Sequence, residues 1–376
     1  MKIVSPLVMM AAYLTLWCSF ALAATDSYRR DLQTGDWIFT LQNPDTSISE
    51  QKVWRYTPTN QFLPKVRQSI GWNGRNFEYD YRVHNDNKSK QSITYFFIKD
   101  GLMRMPDAPI AGILNYKDYP STAKWLEAEQ AIRDLQKEYI KKQISSPPNW
   151  RGRIVIEKNG VANNFGWFSS PNDVTSDIAP GKTLRGMSIS RPELPGIGLA
   201  QMQGATKEHG RAAGFPETGP LADIWEEIDA QDTLYVPVLA PAVPVPVPYS
   251  SSALAKAIKT EVQQWEQLGV AKREAVEQLS RELDVLILSL DYNNKAGAKS
   301  SIRDIMKLIY RHHETLNERK IDTDDDEHDT KPLPAKRSKF QITPTISNEE
   351  PFINRVAARS LAFNLQYLSA RMEIGR

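Results

Sequence analysis

The first regular pattern along the chain is an alternation. From Asp36 onward, Trp37, Phe39 and Leu41 fall on one side of an extended backbone, and later Phe77, Tyr79, Tyr81 and Val83 alternate with Glu78, Asp80, Arg82 and His84. A period of two marks strands with one buried and one wet face. Trp72-Asn73-Gly74 supplies a turn ahead of the second run, and Asn85 to Ser89 separates it from Ile93 to Ile98, so the two runs flanking Asn85 read as a hairpin. Further strands are predicted at Arg153 to Glu157, Asn164 to Phe168, Thr183 to Ser190, Gly198 to Met202 and Thr233 to Leu239. Short strands divided by Gly, Pro and Asn favour an antiparallel β-sandwich over a parallel sheet. One helix interrupts them, about residues 121 to 144. It starts at Ser121 as N-cap, carries Trp125, Ala128, Ile132, Leu135 and Tyr139 at spacings of three and four, and is stopped by Pro147-Pro148. This inserted helix is expected to lie across an edge of the sandwich, covering its open hydrogen bonds.

The pattern changes at Val236 to Tyr249, where five prolines stand in fourteen residues. Proline fixes φ and donates no hydrogen bond, so the stretch reads as a stiff linker over residues 240 to 252, with Pro241 to Pro248 spanning roughly 25 Å as polyproline. Beyond it the spacing is helical. Leu254, Ile258, Val262, Trp265 and Leu268 form a stripe closed by Gly269, and Val276, Leu279, Leu283, Leu286 and Leu290 form a second. Val285, Ile287 and Leu288 flank that second seam, which predicts a helix enclosed nearly all round. A third helix is predicted from Ser301, with Asp304 closing a capping box and Ile305, Ile309 and Leu316 following. Residues 320 to 345 are charged and proline-broken and are expected to be a disordered loop. A last helix is expected from the capping box Ser347 and Glu350, with Pro351 in its first turn and Phe352, Val356, Leu361, Phe363, Leu365, Tyr367, Leu368 and Met372 behind it. The expected fold is therefore α+β and multidomain: a β-sandwich over residues 24 to 239, the linker, and a helical bundle over residues 253 to 376.

Composition narrows the function classes. Of 376 residues, 47 are Lys or Arg and 45 are Asp or Glu, a formal charge of +2, so no net field draws the chain to nucleic acid or anionic lipid. Lys2, the apolar run from Ile3 to Phe20 and Ala21-Leu22-Ala23 make a secretory signal with cleavage expected after Ala23. Ser5, Pro6, Thr15 and Ser19 interrupt the run, which argues against a membrane anchor, and Trp17 before Cys18 argues against lipidation. The product is expected to be secreted or periplasmic, without stable membrane insertion after cleavage. Cys18 is the only cysteine, so once the signal is removed disulfides, zinc-cysteine sites and cysteine nucleophiles are excluded.

Four short motifs carry a resemblance. Asn149-Trp150, Phe165-Gly166-Trp167, Ala179-Pro180-Gly181-Lys182-Thr183-Leu184-Arg185-Gly186 and Glu193-Leu194-Pro195-Gly196 resemble a pattern in bacterial secreted proteins with immunoglobulin- or fibronectin-like sandwiches, over residues 30 to 240. In those proteins a proline-glycine turn leads into Leu-x-Gly-Phe; here Met187 stands in the aromatic position. The resemblance implies a sandwich fold and no particular chemistry.

Candidate sites are few. His313-Glu314 is followed by Asn317 where a zinc-protease helix needs its second histidine, and His312 points to another side of the helix. Asp322, Asp324 and Asp326 begin like a calcium loop, but Glu327 and Leu333 occupy the positions of its glycine and bidentate glutamate. Asp223, Glu226, Glu227 and Asp229 read as an exposed helical turn around Trp225, not as an acid–base pair. The long glycine-rich loop 204 to 220 lacks phosphate-binding spacing, yet gathers Glu208, His209, Arg211 and Glu217, the most plausible binding residues in the chain. No catalytic set, cofactor motif or metal ligand set emerges. The leading expectation is a non-enzymatic exported protein that binds or scaffolds a protein or envelope glycan. The alternative is a secreted hydrolase of envelope polymer or glycan using the loop 204 to 220.

Overall fold

A computed structural model describes residues 27–42, 51–105, 107–110, 114–157, 160–170, 174–206, 215–312 and 353–374. The elements in chain order begin with β1 (Ser27–Arg30), β2 (Trp37–Gln42), β3 (Gln51–Tyr56), β4 (Pro64–Trp72), β5 (Phe77–Asn85) and β6 (Ile93–Arg104). Next come α1 (Thr122–Lys141), β7 (Ile144–Ser145), β8 (Trp150–Ile156), β9 (Val161–Ser169), β10 (Thr183–Arg191) and β11 (Leu194–Gly204). They are followed by α2 (Pro220–Asp232), β12 (Leu234–Val243), α3 (Ser251–Gln264), α4 (Arg273–Asp291), α5 (Lys295–His312) and α6 (Arg355–Ile374). The chain divides into two compact units, residues 1–59 with 206–232 and residues 60–205 with 233–376. The predicted signal segment, the loop 320–345 and the capping box at Ser347 and Glu350 lie outside the described residues.

In the first unit β1, β2 and β3 form an antiparallel three-stranded sheet. The alternation of Trp37, Phe39 and Leu41 is realised: Trp37 stands opposite Tyr56 and Phe39 opposite Trp54. Helix α2 lays Leu221 and Trp225 on this face, together with Phe215, to make a small aromatic core. The Trp225 ring lies 4.4 Å from that of Tyr56 and 4.8 Å from that of Trp54. Asp232 closes the unit. Its carboxylate accepts from the Tyr56 hydroxyl and, at 2.6 and 2.7 Å, from the Thr59 N–H. Sequence reasoning assigned these strands to the sandwich; they instead build a core with a helix some 170 residues away, a pairing that local periodicity does not encode.

The second unit contains a four-stranded sheet, β4-β5-β10-β7, and a five-stranded sheet, β12-β11-β6-β9-β8, with all described pairs antiparallel. The Tyr81 ring of β5 packs 5.8 Å from Phe96 of β6 and 5.6 Å from Trp167 of β9, so the two sheets meet through aromatic side chains. The hairpin expected around Asn85 does not form: β5 pairs with β4 and β10, and β6 with β11 and β9. Asn85 is buried and its amide donates to the carbonyls of Gln91 and Ile178, both at 2.8 Å, carrying the chain from one sheet to the other. The turn at Asn73-Gly74 behaves as predicted, with Asn73 Oδ1 accepting from Arg75 and Asn76 and Gly74 at φ +93°. Helix α1 is capped by Ser121 as expected, although Leu135 points outward, 61% exposed.

The prolines are the main correction. Residues 234–243 are strand β12, an edge of the five-stranded sheet, and only residues 244–250 connect it to α3. In an antiparallel ladder every second residue turns its N–H outward. Leu239 is such a residue: its N–H donates to Gln68 Oε1 on β4 at 2.7 Å. Pro237 and Pro241 share its orientation in the regular register with β11 and have no N–H to expose. Three successive outward positions are thus without a free donor, a guarded edge rather than a spacer.

On the other side of β11 the ladder to β6 ends at Leu199 and Lys99. The backbone beyond it is satisfied by helices. Glu261 of α3 accepts from the Ile197 N–H at 2.7 Å, while Ser360 and Asn364 of α6 donate to the Pro195 carbonyl, each at 2.8 Å. The stripes Leu254, Ile258, Val262 and Trp265, then Val276, Leu279, Leu283 and Leu286, are buried in a core continuous with that of the sheets. The expected separate helical domain is therefore part of the sheet unit. Val285 and Leu288, expected to be enclosed, are 51% and 56% exposed. Helix α5 starts at Lys295, ahead of the predicted Ser301, because Asn294 caps it by accepting from Gly297 N–H at 2.9 Å; Ser301 is buried inside the helix.

Two outcomes follow from the β11 junction. A methyl group at Gly196 would lie 2.6 Å from the Ala242 Cβ and 2.7 Å from the Glu261 carboxyl, so Gly196→Ala is expected to cost roughly 1–3 kcal/mol in urea unfolding. Burial raises the Glu261 carboxyl pKa, against the lowering effect of the Ile197 N–H. A raised folded-state value favours the proton-bound form. Its stabilisation is complete below the free-glutamate range and is lost as pH rises through the folded value. Thermal unfolding from acid to neutral pH is expected to show this loss, and Glu261→Gln to remove that component of the slope.

Candidate functional site

The residues singled out in the sequence do not assemble a site among the described residues. Glu208, His209 and Arg211 lie outside them, and Glu217 is exposed on the approach to α2. His313, Glu314 and Asn317, and the acidic run from Asp322, also lie outside them. Among the described residues no group of three or more His, Cys, Asp or Glu side chains is placed to hold a metal ion. No described helix is long and apolar enough to cross a membrane.

What the fold does build is a cleft of about 510 Å³ in the second unit, where α3 begins, α4 ends, α5 begins and the last turns of α6 pass. Its making starts at the end of the proline stretch. Ser250 adopts an extended conformation and accepts from the Ala253 N–H at 3.2 Å, capping α3. Across from it α4 ends at Asp291, and Asn293 takes a left-handed φ of 54°. Asparagine tolerates that conformation better than most residues, and it lets the chain reverse at once into α5, with Asn294 N–H donating to the Ser289 carbonyl at 2.7 Å.

The side chains on the wall are sorted by charge. Ser252 Oγ donates to Asp291 Oδ1 at 2.5 Å, and Lys256 Nζ lies 3.4 Å from Asp291 Oδ2. These contacts, the serine hydroxyl foremost, hold the exposed Asp291 carboxyl below the usual aspartate range. Ser251 Oγ donates to the Tyr249 hydroxyl at 3.4 Å. The Arg371 guanidinium carbon lies over the Tyr249 ring, 4.5 Å from its centre. Burial raises the Tyr249 hydroxyl pKa, with Ser251 and Arg371 acting against it. Lys295 stands exposed on the same wall, and buried Met372 lines the cleft beside Arg371.

This arrangement is suited to binding. The hydroxyls of Ser250, Ser251 and Ser252 are committed to a cap, a phenol and a carboxylate, and among the described residues no histidine lines the cleft to activate the fourth, Ser289. A carboxyl held low is a weak proton acceptor at neutral pH. Sequence reasoning assigned none of these residues to a site, treating Ser250 to Ser252 as linker and Met372 as part of a helix stripe. The available signal was local: serines just ahead of an apolar helical stripe, and Asn293-Asn294 just after one. Arg371 had none.

No family model matches the chain, and no curated protein does. Among solved structures, an uncharacterized protein from Nocardia farcinica, described as having an immunoglobulin-like fold, is similar over 41% of this chain and 90% of its own, at 12% identity and a TM-score of 0.22. A likeness at that score carries no argument about the cleft, which rests on its own geometry. Because the Ser252 hydroxyl is the leading cause of the low Asp291 value, Ser252→Ala is expected to raise that pKa toward a free aspartate, as read by carboxyl chemical shifts across an acid titration.

Proposed function

We propose that this is an exported, non-enzymatic binding protein of the periplasm or extracellular space, whose two packed sheets form an immunoglobulin-like sandwich and whose helical cleft receives a ligand. The observation that carries the reading is the commitment of Ser252 to Asp291 and of Ser251 to Tyr249, beside an Arg371 held on Tyr249: groups arranged to hold and not to transfer protons. Export is supported by the Lys2 tip, the apolar run and Ala21-Leu22-Ala23. The near balance of 47 basic and 45 acidic residues speaks against nucleic acid as partner and leaves a protein or an envelope glycan component.

Two measurements test this. Mass spectrometry of protein recovered outside the cytoplasm is expected to give Ala24 as the first residue; an intact Met1 on such protein would overturn the export reading. A thermal-shift screen of glycan fragments, peptides and small metabolites is expected to yield a stabilising compound whose effect is lost in Tyr249→Ala. Turnover of any screened compound by the purified protein would overturn the non-enzymatic reading, and stabilisation unaffected by the variant would place binding elsewhere.

A further inference from the structure

We propose that the cleft holds its ligand through an oxyanion, a carboxylate or phosphate group on a small molecule, bound between Arg371 and Lys295 beside the Tyr249 ring. The inference rests on the reading of the cleft as a binding site and adds the chemistry of what it binds.

The argument is a charge inventory. Three cations border the cleft region, Arg371, Lys295 and Lys256, against one carboxylate, Asp291. Asp291 is already engaged by Ser252 and Lys256. Glu373, two residues from Arg371, pairs with Lys299 at 3.0 Å and so does not neutralise its neighbour. Arg371 and Lys295 therefore remain without an ion pair among the described residues. Elsewhere on the helices some cations are paired, Lys259 with Asp284 at 2.7 Å, Lys307 with Asp304 at 2.9 Å and Arg273 with Glu277 at 3.0 Å, while others stand singly on separate surfaces. Arg371 and Lys295 are distinguished by their place: both line the wall of one cleft.

Geometry adds preorganisation. The Arg371 guanidinium is held over the Tyr249 ring and hydrogen-bonds to its hydroxyl, and a guanidinium carries five N–H donors, more than that contact uses, so donors remain for an oxyanion. The ring thus reduces the rotamer entropy that ordering an arginine otherwise costs on binding. The Tyr249 hydroxyl, which accepts from Ser251, keeps its own proton as a neutral donor beside it. A cationic ligand would meet Arg371 and Lys295 with no free carboxylate. A neutral sugar would leave the guanidinium without a partner of opposite charge.

The test uses the full chain and two probes, inorganic phosphate and succinate, titrated by calorimetry at low ionic strength. At least one is expected to bind, weakly and with affinity falling as salt rises, because both cations are exposed. Arg371→Gln is expected to weaken binding about tenfold, the loss of a charge-assisted hydrogen-bond pair, and Lys295→Gln about threefold. Asp291→Asn is expected to strengthen it about threefold by removing the one carboxylate on the wall. Both exposed lysine and arginine variants are expected to melt with the parent protein, which separates a lost contact from a lost fold. Binding of phosphate alone, of succinate alone or of both supports the proposal and identifies which oxyanion is preferred. Absence of binding by either probe, or affinities unchanged in both cation variants, overturns it. A neutral oligosaccharide whose binding depends on Tyr249 and not on Arg371 would also overturn it, while leaving the cleft's binding role in place.

Discussion

A sheet whose central strand outruns its neighbour leaves backbone groups that must be paired or remain exposed to water, and β11 is in that position at Pro195 and Ile197. A buried amide or carbonyl left unpaired costs about 1–3 kcal/mol. This protein closes the gap with helices: Glu261 takes the Ile197 N–H, and Ser360 with Asn364 supplies the Pro195 carbonyl. Gly196 makes the approach possible, since any side chain there would occupy the space of the Glu261 carboxyl. Helices α3 and α6 thus stand where a sixth strand segment would otherwise lie, and a separable bundle on a stiff tether is incompatible with that chemistry.

The prolines show how one physical fact supports opposite readings. Lack of a backbone donor predicts exclusion from a central strand, and from that the sequence suggested a spacer. The same property suits an outward-facing position on an edge. The distinction lies in the spacing: Pro237 and Pro241 are four apart, both in phase with Leu239, so a strand hides both vacancies on one side. The later prolines, Pro244, Pro246 and Pro248, are two apart and follow the last paired residue, Val243. Only that second group behaves as a connector.

Legibility tracked sequence distance. The alternation of β5 and the Ser121 cap were readable because each is decided within a few residues, whereas α3, expected to be closed by Gly269, ends at Gln264 with Trp265 as its C-cap. The crossing of the chain between sheets at Asn85 was not, since the partners of its amide, Gln91 and Ile178, include one 93 residues away. The small aromatic core failed for the same reason: Phe39 and Trp225 give no mutual signal until the fold joins them. The cleft is the extreme case. Tyr249, Asp291, Lys295 and Arg371 come from four places in the chain, and each alone is an unremarked polar residue near a helix end.

The cleft and the sheet junction are nonetheless linked through the helices that serve both. Asn364 fixes α6 to Pro195, and Arg371 lies seven residues later, about two turns and roughly 10 Å along the same axis. Glu261 fixes α3 to Ile197, and the capped start of that helix, with Ser251 and Ser252 facing the cleft, lies about 15 Å back along it. A helix held by a buried hydrogen bond at one point and by its core stripe along its length transmits position with little loss, because packed interiors deform poorly. The start of α3 and the end of α6 at the cleft are therefore both tied to one strand, at Ile197 and Pro195. Any change that loosens Glu261 from Ile197 acts on the spacing of the cleft without touching a residue that lines it.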